Sequence, residues 1–203
     1  MCKELVIIGA SGHGRVIGDI AKLNGYEQII FLDDNESLKE CAGYPVCGTS
    51  NETVAFGEKD FIVGIGDNKT RKIIQERLYG EKLRLTTLVH PKAVIAEGVK
   101  IGNGSVIMAG TVINVGCEIG GGCIINTGAT VDHDSRIEDF VHISVGSHLA
   151  GNVVVGANSF IGAGTTIINN ITIPAKCTIG AGTVVIKSIN EEGTYVGVPA
   201  RKM

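Results

Sequence analysis

The chain has 203 residues, enough for one large domain or two small ones, with 18 Lys plus Arg against 21 Asp plus Glu and a net charge of −3. No basic run supports a nucleic-acid surface, and no apolar run reaches the roughly 18 residues needed to cross a bilayer. With 29 glycines and no tryptophan, the composition favours close-packed β structure with many tight turns.

Residues 1–14, MCKELVIIGASGHG, read as a buried strand running into a Gly-rich turn, not as a signal peptide. Leu5–Ile8 is the predicted strand, and Arg15–Asn24 follows with helical spacing of Val16, Ile20 and Leu23 before stopping at Gly25. Gln28–Leu32 is a second strand ending at Asp33-Asp34, and Phe61–Ile65 a third ending at Gly66-Asp67-Asn68. Lys69–Tyr79 is an amphipathic helix, and 83–89 carries a further strand signal. Strands alternating with helices imply a small Rossmann-like parallel sheet over residues 1–88.

Ligands of such sheets sit at the carboxyl ends of strands. Ser11, Gly12, His13, Asp33, Asp34 and Gly66 occupy those ends and are the candidate substrate-binding residues. Gly9, Gly12 and Gly14 follow G-x-x-G-x-G, not the dinucleotide spacing G-x-G-x-x-G, and about three strands are too few for two mononucleotide halves. The favoured reading is one nucleotide or nucleotide-sugar, with its phosphate at a helix N-terminus. A purely structural turn and a dinucleotide site are the alternatives.

From Val89 to Val185 every sixth residue is aliphatic, seventeen positions without an insertion. A period of six fits neither an amphipathic helix nor an isolated strand; it marks a hexapeptide-repeat parallel β-helix over residues 89–203. The residue two before each aliphatic is small or β-branched and shares its inward face. Three faces make a coil of 18 residues, giving about five coils and a prism about 25 Å tall. Gly102, Gly120, Gly156, Gly162 and Gly180 are expected at the corners as strained or left-handed backbone. Handedness does not follow from the period.

The six cysteines (Cys2, Cys41, Cys47, Cys117, Cys123, Cys177) form no CxxC pair or metal site, as in a cytoplasmic protein with reduced thiols. Cys117, Cys123 and Cys177 fall on the small inward positions and read as core filler, not nucleophiles. His142 and His148 fall in the outward row. His133 falls at a corner between Asp132 and Asp134, where a carboxylate can orient an imidazole and raise its basicity. A flat β-helix face needs a second wall, which a trimer of prisms would supply.

The GASGHG turn, the FLDD strand end, the IGDNKTRK segment, the DHD corner and the closing YVGVPA occur in one order along the chain. In these the chain resembles the bacterial nucleotide-sugar acetyltransferases of the sialic-acid O-acetyltransferase group, above all the UDP-4-amino-sugar N-acetyltransferases of the bacillosamine pathway. That resemblance implies a left-handed β-helix, a homotrimer, and acetyl-CoA lying between adjacent prisms. It implies that His133 and Asp134 are the catalytic pair and that His142, Gly151, Ala163 and Ala181 contact acetyl-CoA. The implied reaction is acetyl transfer to the 4-amine of a nucleotide-linked sugar, UDP-linked favoured. O-acetylation of a sialic-acid-type sugar and a non-catalytic trimeric nucleotide sensor are the alternatives, and His148 is left as surface.

Overall fold

The computed structural model describes residues 3–203; Cys2 lies outside them. The chain divides into two compact units, Met1–Pro91 and Lys92–Met203.

The first unit holds β1 (Glu4–Ile8), α1 (Gly12–Leu23), β2 (Gln28–Leu32), a small hairpin of β3 (Glu40–Cys41) and β4 (Tyr44–Pro45), β5 (Asp60–Val63), α2 (Asn68–Gly80) and β6 (Arg84–Leu85). A 3₁₀ turn, Thr53–Phe56, precedes β5. The parallel sheet runs β2-β1-β5-β6. Continuous aliphatic stretches build these strands because both faces are buried. Val6, Ile8, Phe61 and Val63 pack with Ile74 and Leu78 of α2, while Ile7 and Phe31 lie against Gly18 of α1. The chain leaves β1 for β2 on one side and later returns to β5 on the other. The carboxyl ends of β1 and β5 therefore flank a topological switch point, where open α/β sheets bind ligands.

The helix α1 begins at Gly12, three residues earlier than its apolar spacing indicates, because Ser11 takes extended backbone and serves as the N-cap. Gly9 needs its φ of +106°, and a Cβ on Gly14 would lie 2.0 Å from the Gly9 carbonyl oxygen. Gly12 alone of the three faces open space, which leaves room for a ligand at the helix N-terminus.

The second unit is a parallel β-solenoid. Two-residue strands recur every six residues up to Val184–Val185 and pair in register with the strand 18 residues on, as in Val106↔Ile124, Ile124↔His142 and His142↔Phe160. We call the column through these strands the first face, that through Val112, Thr130 and His148 the second, and that through Glu118, Arg136 and Val154 the third. The ladder makes about six turns where five were expected. From Ile107 to Val185 the inward aliphatics are at most 3% exposed. Hydroxyls of the small inward row bond across coils, as Ser135 Oγ accepts from Val153 N–H at 3.0 Å. Cys117, Cys123 and Cys177 are buried in that row, and every described cysteine is free.

One expectation fails here. The left-handed residue lies three after each inward aliphatic from Ile95 to Ile179, at Gly98, Gly104, Gly110, Gly116, Gly122, Gly128, Asp134, Phe140, Gly146, Asn152, Asn158, Gly164, Asn170, Lys176 and Gly182. Gly102, Gly120, Gly156, Gly162 and Gly180 have no positive φ. They are needed because coils touch there: a Cβ on Gly102 would lie 2.4 Å from Gly121 N, and one on Gly156 2.4 Å from Ala175 N.

Candidate active site

After Thr130–Val131 on the second face the chain turns through Asp132-His133-Asp134 to Arg136–Ile137 on the third. Asp134 occupies the left-handed position at φ 58°, where short polar side chains are tolerated best after glycine. That turn folds its carboxylate back, so that Oδ2 lies 2.9 Å from His133 Nδ1. Asp132 Oδ1 accepts the His133 backbone N–H at 2.7 Å and the Asn114 side-chain amide at 2.7 Å.

The carboxylate of Asp134 sets the neutral ring with its proton on Nδ1, leaving the Nε2 lone pair free. The hydrogen bond with Asp134 is the main cause holding the His133 pKa above its ordinary value; slight burial opposes it, and the charges of Asp132 and Asp134 add to it. The Asn114 amide and then the His133 N–H hold the Asp132 carboxyl below the usual range. Glycine leaves space on both sides of the pair. A Cβ on Gly151, one coil on, would lie 2.5 Å from His133 Nε2, and one on Gly116, one coil back, 2.4 Å from Asp134 Oδ1.

His142 sits in the outward row of the first face yet is only 8% exposed. Its Nε2 meets the Asn126 side-chain amide at 3.1 Å, and its ring stands edge-on to Phe160 with centroids 5.1 Å apart. Asn126 was not anticipated; it follows an inward aliphatic directly, a place otherwise held by small residues or glycine in several coils. His148 is exposed, and its Nδ1 lies 3.0 Å from Thr130 Oγ1.

The proposed cofactor residues separate onto two edges of the prism. Gly151 shares the edge between the second and third faces with His133. Ala163 and Ala181 follow first-face strands Phe160–Ile161 and Thr178–Ile179, so they line the edge between the first and second faces. Backbone N–H groups at equivalent corners are capped by side chains, Gly121 by Asp139 and Ala157 by Glu138. Those of Gly151, Ala163 and Ala181 donate to no group among the described residues, so they are available to a ligand's carbonyls.

In the first unit, Asp33 reaches across from β2: its Oδ2 accepts the Ala10 N–H at 2.7 Å and its Oδ1 the Asn35 N–H at 2.9 Å. Asp34 turns to Ser50, accepting its N–H at 2.8 Å and its hydroxyl at 3.2 Å. Ser11 and Gly12 are exposed at the start of α1. Burial, aided by the Arg71 charge, lowers the His13 pKa to about 4, and its Nε2 is buried with no partner among the described residues. Arg71 is 1% exposed. Its Nη1 donates to the carbonyls of Ile65 and Gly66 at 3.1 and 3.0 Å, which holds the loop after β5. Sequence reasoning passed over Arg71, although it stands in line with Ile74, Gln75 and Leu78 on the buried stripe of α2. A cation in an apolar stripe is the signal that would have found it.

Residues 4–78 match the family model for the PglD N-terminal domain, and residues 134–169 match the bacterial transferase hexapeptide (six repeats). The chain is 37% identical over 112 residues to the UDP-N-acetylbacillosamine N-acetyltransferase of Bacillus subtilis (strain 168), covering 53% of this chain and 52% of that protein. It thus spans about half the length of that relative. It is 30% identical over 163 residues to the GDP-perosamine N-acetyltransferase of Escherichia coli O157:H7, covering 77% and 74%. The acetyltransferase domain of PglB from Neisseria gonorrhoeae FA1090, in complex with acetyl coenzyme A, superposes with a TM-score of 0.96 at 38% identity over 100% of both chains. The chain belongs to this bacterial nucleotide-sugar N-acetyltransferase family, and its solenoid is the left-handed β-helix of those enzymes.

Proposed function

We propose that the protein moves the acetyl group of acetyl-CoA to the 4-amine of a nucleotide-linked amino-deoxy sugar, with His133 as general base. The observation that carries this reading is the exposed imidazole whose Nδ1 is tied to Asp134 while its Nε2 faces the bare backbone of Gly151. Two named relatives act on UDP- and GDP-linked amino sugars, and the superposed domain binds acetyl coenzyme A.

In the proposed step the amine nitrogen bonds to the thioester carbonyl carbon while His133 Nε2 takes its proton. The carbonyl oxygen becomes an oxyanion, to which the Gly151 N–H donates. Collapse breaks the C–S bond, and CoA leaves as a thiolate that takes up a proton. No acyl-enzyme is required: the Cys117 and Cys177 thiols are inside the prism, and burial pushes both pKa values up.

The nucleotide-sugar binds at the carboxyl ends of β1 and β5. Ser11, Gly12 and the start of α1 offer backbone N–H groups to a phosphate. Neutral His13 and the Arg71 charge stand behind them, while Asp33 holds the turn that presents them. Asp34 and Gly66 complete this substrate set.

The assembly proposed is a homotrimer. His133 with Gly151 and Ala163 with Ala181 lie on separate edges of one prism, and His142 lies on the face opposite the His133 edge. A groove using both sets takes one edge from each of two neighbouring chains. No helix among the described residues is long and apolar enough to cross a membrane; a cytoplasmic location fits the free thiols.

The pH dependence tests the base. Asp134 and Asp132 stabilise the protonated ring, while the reactive form is neutral. Activity (kcat/KM) is therefore expected to rise with pH through a midpoint above 6.5. Asp134→Asn is expected to move that midpoint down towards 6.5 and to lower the plateau about tenfold, since the base is weaker and less well oriented. A profile unchanged by Asp134→Asn would remove the pair from the mechanism.

A further inference from the structure

Beyond the groups that meet the reacting atoms, we infer that Asn114 is a positioning residue for His133, acting through Asp132, and that Asn114-Val115-Gly116 forms the seat of the corner Asp132-His133-Asp134. The inference rests on the reading of His133 as base.

The strand register puts one triplet under the other: Val112 and Ile113 pair with Thr130 and Val131. Three contacts then follow in order. The Asn114 side-chain amide donates to Asp132 Oδ1 at 2.7 Å. The Asp134 N–H donates to the Val115 carbonyl at 3.0 Å. Gly116 leaves the space that Asp134 Oδ1 fills, since a Cβ there would lie 2.4 Å from it.

The seat matters because the imidazole is exposed and has little packing to orient it; its side chain is 56% accessible. Its backbone is held instead. Asp132 Oδ1 accepts the His133 N–H, and the His133 carbonyl accepts the Asn152 N–H at 2.8 Å. Asp132 can grip that N–H in one place only while its own carboxylate is fixed, and Asn114 fixes it. Asp132 and Asp134 are the charged groups that act on the ring. Asn114 and Gly116 on the preceding coil, and Gly151 and Asn152 on the following one, are uncharged.

The decisive variants exchange the two partners. Asn114→Asp sets two carboxylates against each other across the coil, which loosens Asp132 and adds negative charge near the ring. In the parent Asp132 Oδ1 alone accepts both bonds; in the double variant Asn114→Asp/Asp132→Asn the side chain at position 132 turns so that its amide donates to the new carboxylate and its oxygen accepts the His133 N–H. The charge count returns to that of the parent. Asn114 is exposed, so neither change disturbs the prism interior.

Two readouts are taken: CoA release with a UDP-linked 4-amino-4,6-dideoxy sugar, and an NMR pH titration of the His133 ring in the ligand-free protein. Asn114→Asp is expected to cut kcat about tenfold with both KM values within about twofold, and the double variant to recover to within about threefold of the parent. The His133 titration is expected to move up in the single variant and back in the double. Turnover and titration unchanged in Asn114→Asp, or a double variant no better than the single, would overturn the seat. Failure of the base reading looks different: His133→Asn would keep its turnover, while the ring titration in Asn114→Asp would still report on the seat.

Discussion

Replacing His133 by Asn is expected to cut turnover about a thousandfold while acetyl-CoA binding stays within about twofold. A loss of that size is about 4 kcal/mol of transition-state stabilisation. It is expected because His133 alone at this corner combines a lone pair facing the bare backbone of Gly151 with a partner that fixes its tautomer. Asn keeps the polarity and much of the size at an exposed position but cannot accept a proton at neutral pH. The ring is not part of the packed interior, so folding is expected to survive: its side chain is 56% accessible, and its backbone bonds to Asp132 and Asn152 do not depend on the imidazole. The measurement is a steady-state comparison with a calorimetric affinity for acetyl-CoA. A KM effect with kcat preserved would make His133 a binding residue instead.

The second large effect is on stability. Gly156→Ala is expected to cost about 3 kcal/mol or more, because its Cβ would lie 2.4 Å from Ala175 N and 2.6 Å from Pro174 C. Neither coil can yield easily. Val154 and Val155 are in register with Thr172 and Ile173, and the Gly156 N–H donates to the Ile173 carbonyl at 2.8 Å. The control is Gly146→Ala, whose φ of +61° strains an L-residue but whose Cβ would point into open space. That change is expected to cost only about 1–2 kcal/mol. Urea unfolding of both variants reads the difference; equal losses would mean that backbone conformation, not contact between coils, is what these glycines supply.

That contrast also shows how far the fold could be read in advance. The six-residue period carries the solenoid because each inward aliphatic meets only its own kind above and below, so one phase persists for the whole domain. Which corner residue is left-handed is not visible in the same way. Asn152, Asn158 and Asn170 share that position with many glycines, while the conspicuous glycines at 102, 120 and 156 answer to a contact between coils. In the first unit, β2 is found at Gln28–Leu32 as read. The hairpin of β3 and β4 was missed because two-residue strands have no period to detect.

The site was legible where chemistry is local in the chain. His133 and Asp134 are neighbours, so their pairing follows from adjacency and one left-handed turn. Asn114, Gly116 and Gly151 meet Asp132, Asp134 and His133, each from 18 residues away, and only the register of the coils brings them there. The outward spacing of His142 puts Phe160 beside it one coil on, where the edge-on ring contact is found; its contact with Asn126, 16 residues back, is not visible in the period. Arg71 was hidden for another reason, since a charged residue on a helix reads as surface until its neighbours show which face is buried.

The most direct test of the central claim is thiol release from acetyl-CoA by the purified protein, with matched UDP-linked and GDP-linked sugars carrying either an amine or a hydroxyl at C4. CoA release is expected to depend on the 4-amino sugar and to yield its N-acetylated product. No release with any amine acceptor, or release as fast with the hydroxyl counterparts, would contradict the claim.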